Sequence, residues 1–287
     1  MTSGIFITMK DLILNTSDHI PLSVKVFEPQ ISNGKVLLIN SATGVKQQIY
    51  FSFAKYLAEK GFTVITYDYR GIGESKPKQM RGFKASMRIW GTIDFKTLTD
   101  FIQNEYPDYT KFCLGHSVGA LVLGMNEYSR NFEKFIFVGT QDAYIGNLAF
   151  TVAVTALLGF GIAVPVMTNF FGYFPAHRFG LGESLPKGVA FDWQTLILNK
   201  KSTSRLYEKI EENYATQLTQ ETYIIHAEDD TWVTQKGMNN LLKNVYPNLK
   251  TTYREIKISE SEKGEIGHVN FFRSYNKKLW KIALDEL

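Results

Sequence analysis

Five continuous apolar runs, KVLLIN (35–40), FTVITYD (62–68), KFCLG (111–115), KFIFVG (134–139) and TYIIHA (222–227), limit what this chain can fold into more than any other feature. Runs without polar alternation suit strands buried on both faces, and such strands run parallel because helical crossovers cover both sides of the sheet. The segments between them carry helical periodicity. Tyr50, Phe53, Ala54, Leu57 and Ala58 form one apolar face, and Gly61 stands where a left-handed residue would end that helix. Further helices are expected over about 92–106, from about 118 and near 236–244. A terminal amphipathic helix would carry Phe272, Tyr275, Leu279 and Ile282. With strands at 4–9, 22–28 and TTYREIKI, the pattern predicts an α/β fold: a mostly parallel eight-stranded sheet flanked by helices.

The rhythm breaks once, over 145–215, where Gly, aromatic and apolar residues follow no period. The expected organisation is therefore a core of 1–144 and 216–287 with a cap of 145–215 inserted into it. Ala143 to Ala176 contains no Asp, Glu, Lys or Arg, and Ala156 to Met167 is apolar throughout. Its 12 apolar residues fall short of the roughly 20 that span a bilayer, and Gly159, Gly161 and Pro165 interrupt them. The preferred use of this stretch is a roof over an apolar pocket. Membrane contact and a homodimer interface are the other uses of such a surface.

Charge adds exclusions. Lys and Arg number 32 against 28 Asp and Glu, a net charge of +4 spread without a basic run, so no nucleic-acid partner is implied. The single cysteine, Cys113, rules out an internal disulfide and a metal site built on paired cysteines, and its place in an apolar strand suits a small hydrophobe. The N-terminus lacks the basic segment of a signal peptide, so the expected location is cytoplasmic.

Chemistry enters at Gly115-His116-Ser117-Val118-Gly119, a G-x-S-x-G string that follows a buried strand and opens a helix. In that setting the flanking glycines allow a sharp turn that exposes the serine above the sheet. Serine needs a base and an orienting acid, in the chain order Ser, Asp/Glu, His. Of five histidines only His268, in a loop before the last helix, fits the base; His226 reads as a packed strand residue. The acid belongs at the C-terminal end of the penultimate strand, where HAEDDTWV offers Glu228, Asp229 and Asp230. Asp230 has the preferred spacing, and its neighbours read as a solvated acidic turn. Two backbone amides should bind the oxyanion, those of Val118 and Ala42, with Thr43 as runner-up.

GHSVG, TYDYRGIGES, EDDTWV and the late GH together resemble the α/β-hydrolase superfamily over nearly the whole chain. NSATGVKQQIYFSFAKYLAEKGFTVITYDYRGIGES and IGHVNFF are similar to bacterial serine hydrolases of the monoacylglycerol-lipase and serine-aminopeptidase branch. The resemblance implies no cofactor and no metal. It makes Asp68, Arg70, Gly71 and Gly73 loop-forming residues beside the pocket, and Asn40-Ser41 replaces the branch's usual His-Gly. The expected activity is hydrolysis of a carboxylic ester of a lipophilic small molecule. Thioesterase, acyltransferase and peptidase chemistry would use the same residues, and a catalytically silent binding protein is the rival from another class.

Overall fold

A computed structural model describes residues 7–287. The strands are β1 (Thr8–Asn15), β2 (Pro21–Glu28), β3 (Lys35–Asn40), β4 (Thr63–Tyr67), β5 (Thr110–His116), β6 (Lys134–Val138), β7 (Tyr173–Phe174), β8 (Leu185–Pro186), β9 (Glu221–Ala227) and β10 (Lys250–Ile256). Eight form one sheet in the order β1-β2-β4-β3-β5-β6-β9-β10, while β7 and β8 make a separate hairpin. The pairs β1–β2 and β2–β4 are antiparallel and all others in the large sheet parallel. Among the described residues β1 covers 8–15, and residues 4–6 of the expected strand 4–9 lie outside them.

Burial follows the apolar runs. Every residue of β4 and all but the first of β3 are buried, whereas the edge strands β1 and β10 are mostly exposed and carry Lys, Asp, Arg and Thr, which discourages pairing with another sheet edge. The helix Phe51–Ala58 buries the face formed by Phe53, Ala54, Leu57 and Ala58. The chain end departs from expectation. In place of one amphipathic helix, 270–279 winds as 3-10 turns and only Trp280–Leu284 is α-helical. Asn276 is non-helical and buried there, its amide donating to the carbonyls of Glu265 and Asn270. A side chain bonded to nearby backbone in this way competes with the helical ladder.

Between β6 and β9 the chain leaves the sheet and builds the helices Phe150–Leu158, Val164–Phe171, Lys187–Leu198 and Ser202–Tyr207 and the β7–β8 hairpin. The first two are one helical run, Phe150–Phe171, joined by a π-turn at Gly159–Ala163. This insertion meets the loop after β3 backbone to backbone: Glu183 N donates to the carbonyl of Gly44 at 2.8 Å, and a Cβ on Gly182 would fall 2.5 Å from the same oxygen.

The loop after β4 is fixed by charge. Arg70, 1% exposed, donates through Nε to Asp94 Oδ1 at 2.6 Å and through Nη1 to Asp18 Oδ2 at 2.6 Å, while its backbone N–H binds Asp94 Oδ2. The Arg70 guanidinium holds the Asp18 carboxyl down at about 2. Asp94 is therefore the buried counter-ion of Arg70. Asp68 accepts from the backbone N–H groups of Gln47 and Glu74 and so ties the same loop to the start of the helix before β4. Removing the cation strands Asp94 without charge compensation. Arg70→Ala should cost about 3–5 kcal/mol in urea unfolding, and a loss under about 1 kcal/mol, the size of an exposed pair, would refute this role.

Candidate active site

Ser117 sits between β5 and the short helix Val118–Leu121 with φ 53° and ψ −118°, a conformation that costs a non-glycine residue energy. Its backbone is held on both sides, since Ser117 N donates to Val138 O at 2.9 Å and its carbonyl accepts from Thr140 Oγ1 at 2.9 Å. The flanking glycines are required by close approach. A Cβ on Gly115 would lie 2.6 Å from the Ala120 backbone, and one on Gly119 only 2.2 Å from Asn40 O. The strained serine that the sequence motif implies is present, on the C-terminal edge of the parallel strands.

Asp230 and His268 are brought together. Nδ1 of His268 lies 2.7 Å from Asp230 Oδ2, and because a carboxylate can only accept there, Nδ1 carries the proton and Nε2 is the free acceptor. Oδ1 of Asp230 accepts from Trp232 N at 3.0 Å, which orients the buried carboxylate. His268 and Ser117 line the same cavity of about 480 Å³. Among the described residues no hydrogen bond joins the Ser117 hydroxyl to the His268 ring.

Asp229 is not a solvated neighbour. Its two carboxylate oxygens accept the N–H groups of Ile266 and Gly267 at 2.8 Å each, so adjacent acids of one turn hold the histidine loop by its backbone and by its ring. Glu228 likewise caps Ile258 N. Three consecutive acids gave no sign in the sequence of this division of labour.

His116, the residue before the elbow serine, proves central. It is fully buried between Tyr50 Oη, 2.8 Å from Nδ1, and the carbonyl of His268, 2.7 Å from Nε2. A carbonyl cannot donate, so Nε2–H is the donor to it, Nδ1 accepts from the Tyr50 hydroxyl, and Tyr50 Oη in turn accepts the N–H of Ala42 at 3.0 Å. Burial holds the ring neutral, pulling its pKa down to about 3. Helical periodicity marked Tyr50 only as part of an apolar face, and nothing in the sequence pairs it with His116.

This chain of bonds also bears on the oxyanion amides. The N–H of Ala42 is already donated to Tyr50, whereas the amides of Val118 and Thr43 make no backbone or side-chain hydrogen bond among the described residues, and both residues border the cavity. The cavity wall corrects a further expectation. From the insertion it takes Gly180–Glu183, Trp193, Leu196 and Ile197, and nothing from Phe150–Phe171, so the helical part of the uncharged stretch is not its roof, although Ala143 at its start borders the cavity. His226 is a strand residue facing Glu255 at 3.7 Å, and Cys113 is buried.

A mostly parallel eight-stranded sheet with a serine on a strained strand-to-helix turn, an acid after a later strand and a histidine loop near the chain end is the architecture of the α/β hydrolases. Solved structures of that fold align with nearly the whole chain. The esterase Pf2001 of Pyrococcus furiosus aligns with a TM-score of 0.57 and 17% identity over 97% of this chain and 91% of that one. A bromoperoxidase from Bacillus anthracis aligns with a TM-score of 0.58 and 18% identity over 96% and 98%. The protein thus has the α/β-hydrolase fold, and residues 33–160 match the family model described as serine aminopeptidase, S33, the branch that the sequence resembles. The uncharacterized protein YcjY of Escherichia coli (strain K12) is 32% identical over 83 residues, 28% of this chain and 27% of its own length, so the match spans about a quarter of that relative.

The buried, neutral His116 has a measurable consequence. Its folded pKa lies below the unfolded value, so between the two the unfolded chain binds the extra proton. The stability it contributes is complete above about 6.5 and declines as the pH falls toward 3, by at most about 1.4 kcal/mol per pH unit. Urea unfolding at pH values between about 6 and 4 should show a steeper acid loss for the wild type than for His116→Gln. Equal slopes would mean that His116 titrates normally in the folded protein.

Proposed function

We propose that the protein is a serine hydrolase that cleaves a carboxylic ester of a lipophilic small molecule through an acyl-enzyme. The observation that carries this reading is the 2.7 Å hydrogen bond from His268 to Asp230, made at the edge of the cavity that the strained Ser117 borders. His268 Nε2 takes the Ser117 proton as Oγ attacks the ester carbonyl, and Asp230 holds the ring in the required tautomer and stabilises the imidazolium. The negative charge forming on the carbonyl oxygen is met by the amides of Val118 and Thr43, Thr43 taking the place of Ala42 because Tyr50 occupies the Ala42 N–H. The alcohol leaves with the proton from His268. Water then attacks the acyl-enzyme, giving its proton to His268, and the acid is released as Ser117 regains its hydrogen.

The substrate class rests on the cavity wall, where Ile49, Leu121, Trp193, Leu196, Ile197 and Trp232 present apolar surface. An aminopeptidase reading, suggested by the family description, is disfavoured by charge. Glu183 is the one carboxylate among the lining residues, and Lys46 at 3.7 Å and Lys76 already pair with it, leaving no free acid for a substrate ammonium.

A fluorophosphonate probe should label the wild type at Ser117, and Ser117→Ala should lower kcat by about 10⁴ or more. Labelling mapped to another residue would overturn the nucleophile. Asp230→Asn should cost on the order of 10⁴ in kcat through the wrong histidine tautomer. For p-nitrophenyl esters, kcat/KM should rise from acetate to hexanoate, at up to about 0.8 kcal/mol per buried methylene. Trp193→Ala should lower the hexanoate value about tenfold and leave acetate within about twofold, as expected for a lost apolar contact. A flat wild-type series would exclude a lipophilic acyl site.

A further inference from the structure

The helical run Phe150–Phe171 has a mean hydropathy of 2.1 over its most apolar window, only 17% of which is buried. Ala156, Phe160, Val164 and Thr168, one every fourth residue, face the protein. The opposite side shows Phe150 82% exposed, Leu158 58%, Ile162 60%, Val166 62% and Phe170 74%. A monomeric soluble protein seldom leaves so continuous an apolar surface in water. The catalytic cavity does not use it.

We propose that this helix docks on an anionic lipid surface, lying in the plane of the interface with its exposed side among the acyl chains. The inference is independent of the ester chemistry. Spanning is excluded by the inner stripe and by two polar ties, Gln194 Nε2 to Phe160 O at 2.7 Å and Arg81 Nη2 to Phe170 O at 2.8 Å, which hold the helix against the rest of the molecule. Charge selects lipid over a second copy. Arg81 sits at the helix C-terminus, Arg178 lies 5.6 Å from the Phe171 ring, and the cleft that begins at Asn169 and Gly172 is lined by six Lys and Arg against three Glu. Anionic headgroups complement that balance, whereas an identical surface on a second copy would repel it. The helix itself offers aliphatic and aromatic side chains with no ionic group to set a register, which suits a fluid partner.

Cosedimentation of the full chain with phosphatidylcholine vesicles, with and without about 30% phosphatidylglycerol, tests this directly. The wild type should bind the anionic vesicles, and Leu158→Asp with Ile162→Asp should weaken that partitioning about tenfold or more. Both positions are exposed, so the variant should keep its melting temperature and its turnover of a soluble ester. Lys84→Glu with Lys187→Glu should weaken binding to the anionic vesicles and leave any binding to phosphatidylcholine unchanged. The proposal fails if the wild type stays in the supernatant with both compositions, or if binding survives the two apolar substitutions. It fails equally if analytical ultracentrifugation shows a dimer that Leu158→Asp converts to monomer, which would give the helix to a second copy.

Discussion

The candidate site depends on one line of hydrogen bonds that crosses the molecule from the Ala42 amide through Tyr50 and the His116 ring to the carbonyl of His268. Its direction is forced from one end, because the final acceptor is a carbonyl, and every proton position upstream follows. The line joins the loop after β3, the serine elbow and the histidine loop, and its last bond alone spans 152 residues of sequence. It works only with a neutral imidazole, and burial without a facing acid keeps it neutral. The ring of His268 is thus positioned from two independent directions, through its side chain by Asp230 and through its main chain by His116.

Much of the fold was legible because it rests on local regularities. Uninterrupted apolar runs gave the parallel strands, and the spacing of Phe53, Ala54 and Leu57 gave the first helix. The elbow was legible for a stronger reason: Gly115 and Gly119 face backbone at distances no side chain tolerates, so the string records a steric requirement. What stayed hidden depends on long-range partners. Asp229 and Asp230 are neighbours of the same charge with different tasks, decided by whether loop amides or an imidazole come to meet them. The use of Ala42 by Tyr50 is invisible for the same cause, since it joins residues on two elements whose approach only the fold defines. The terminal helix was overread because apolar spacing cannot register that Asn276 turns its amide onto local carbonyls.

The uncharged stretch was misplaced for a subtler reason. Apolar composition says that a surface avoids water, and it does not say which neighbour relieves it. The insertion covers the cavity with residues after Phe179 and turns the most apolar helix outward, the loop of the β7–β8 hairpin carrying Gly180–Glu183 to the cavity. Arg81 contributes by binding the carbonyl at the helix end, which leaves a cation where the apolar surface stops.

The seam at Gly44, Gly182 and Glu183 joins the insertion to the loop after β3 as a single mechanical unit. Thr43, which borders the cavity, is covalently next to Gly44, so a displacement of the insertion by a few tenths of an ångström would be passed to it through a backbone hydrogen bond. Access and electrostatic readiness are then not separate settings. Under the proposed ester chemistry, a shift of the insertion that widened the cavity would also move the Thr43 amide assigned to the developing charge. In such an arrangement the doorway is its own safety catch.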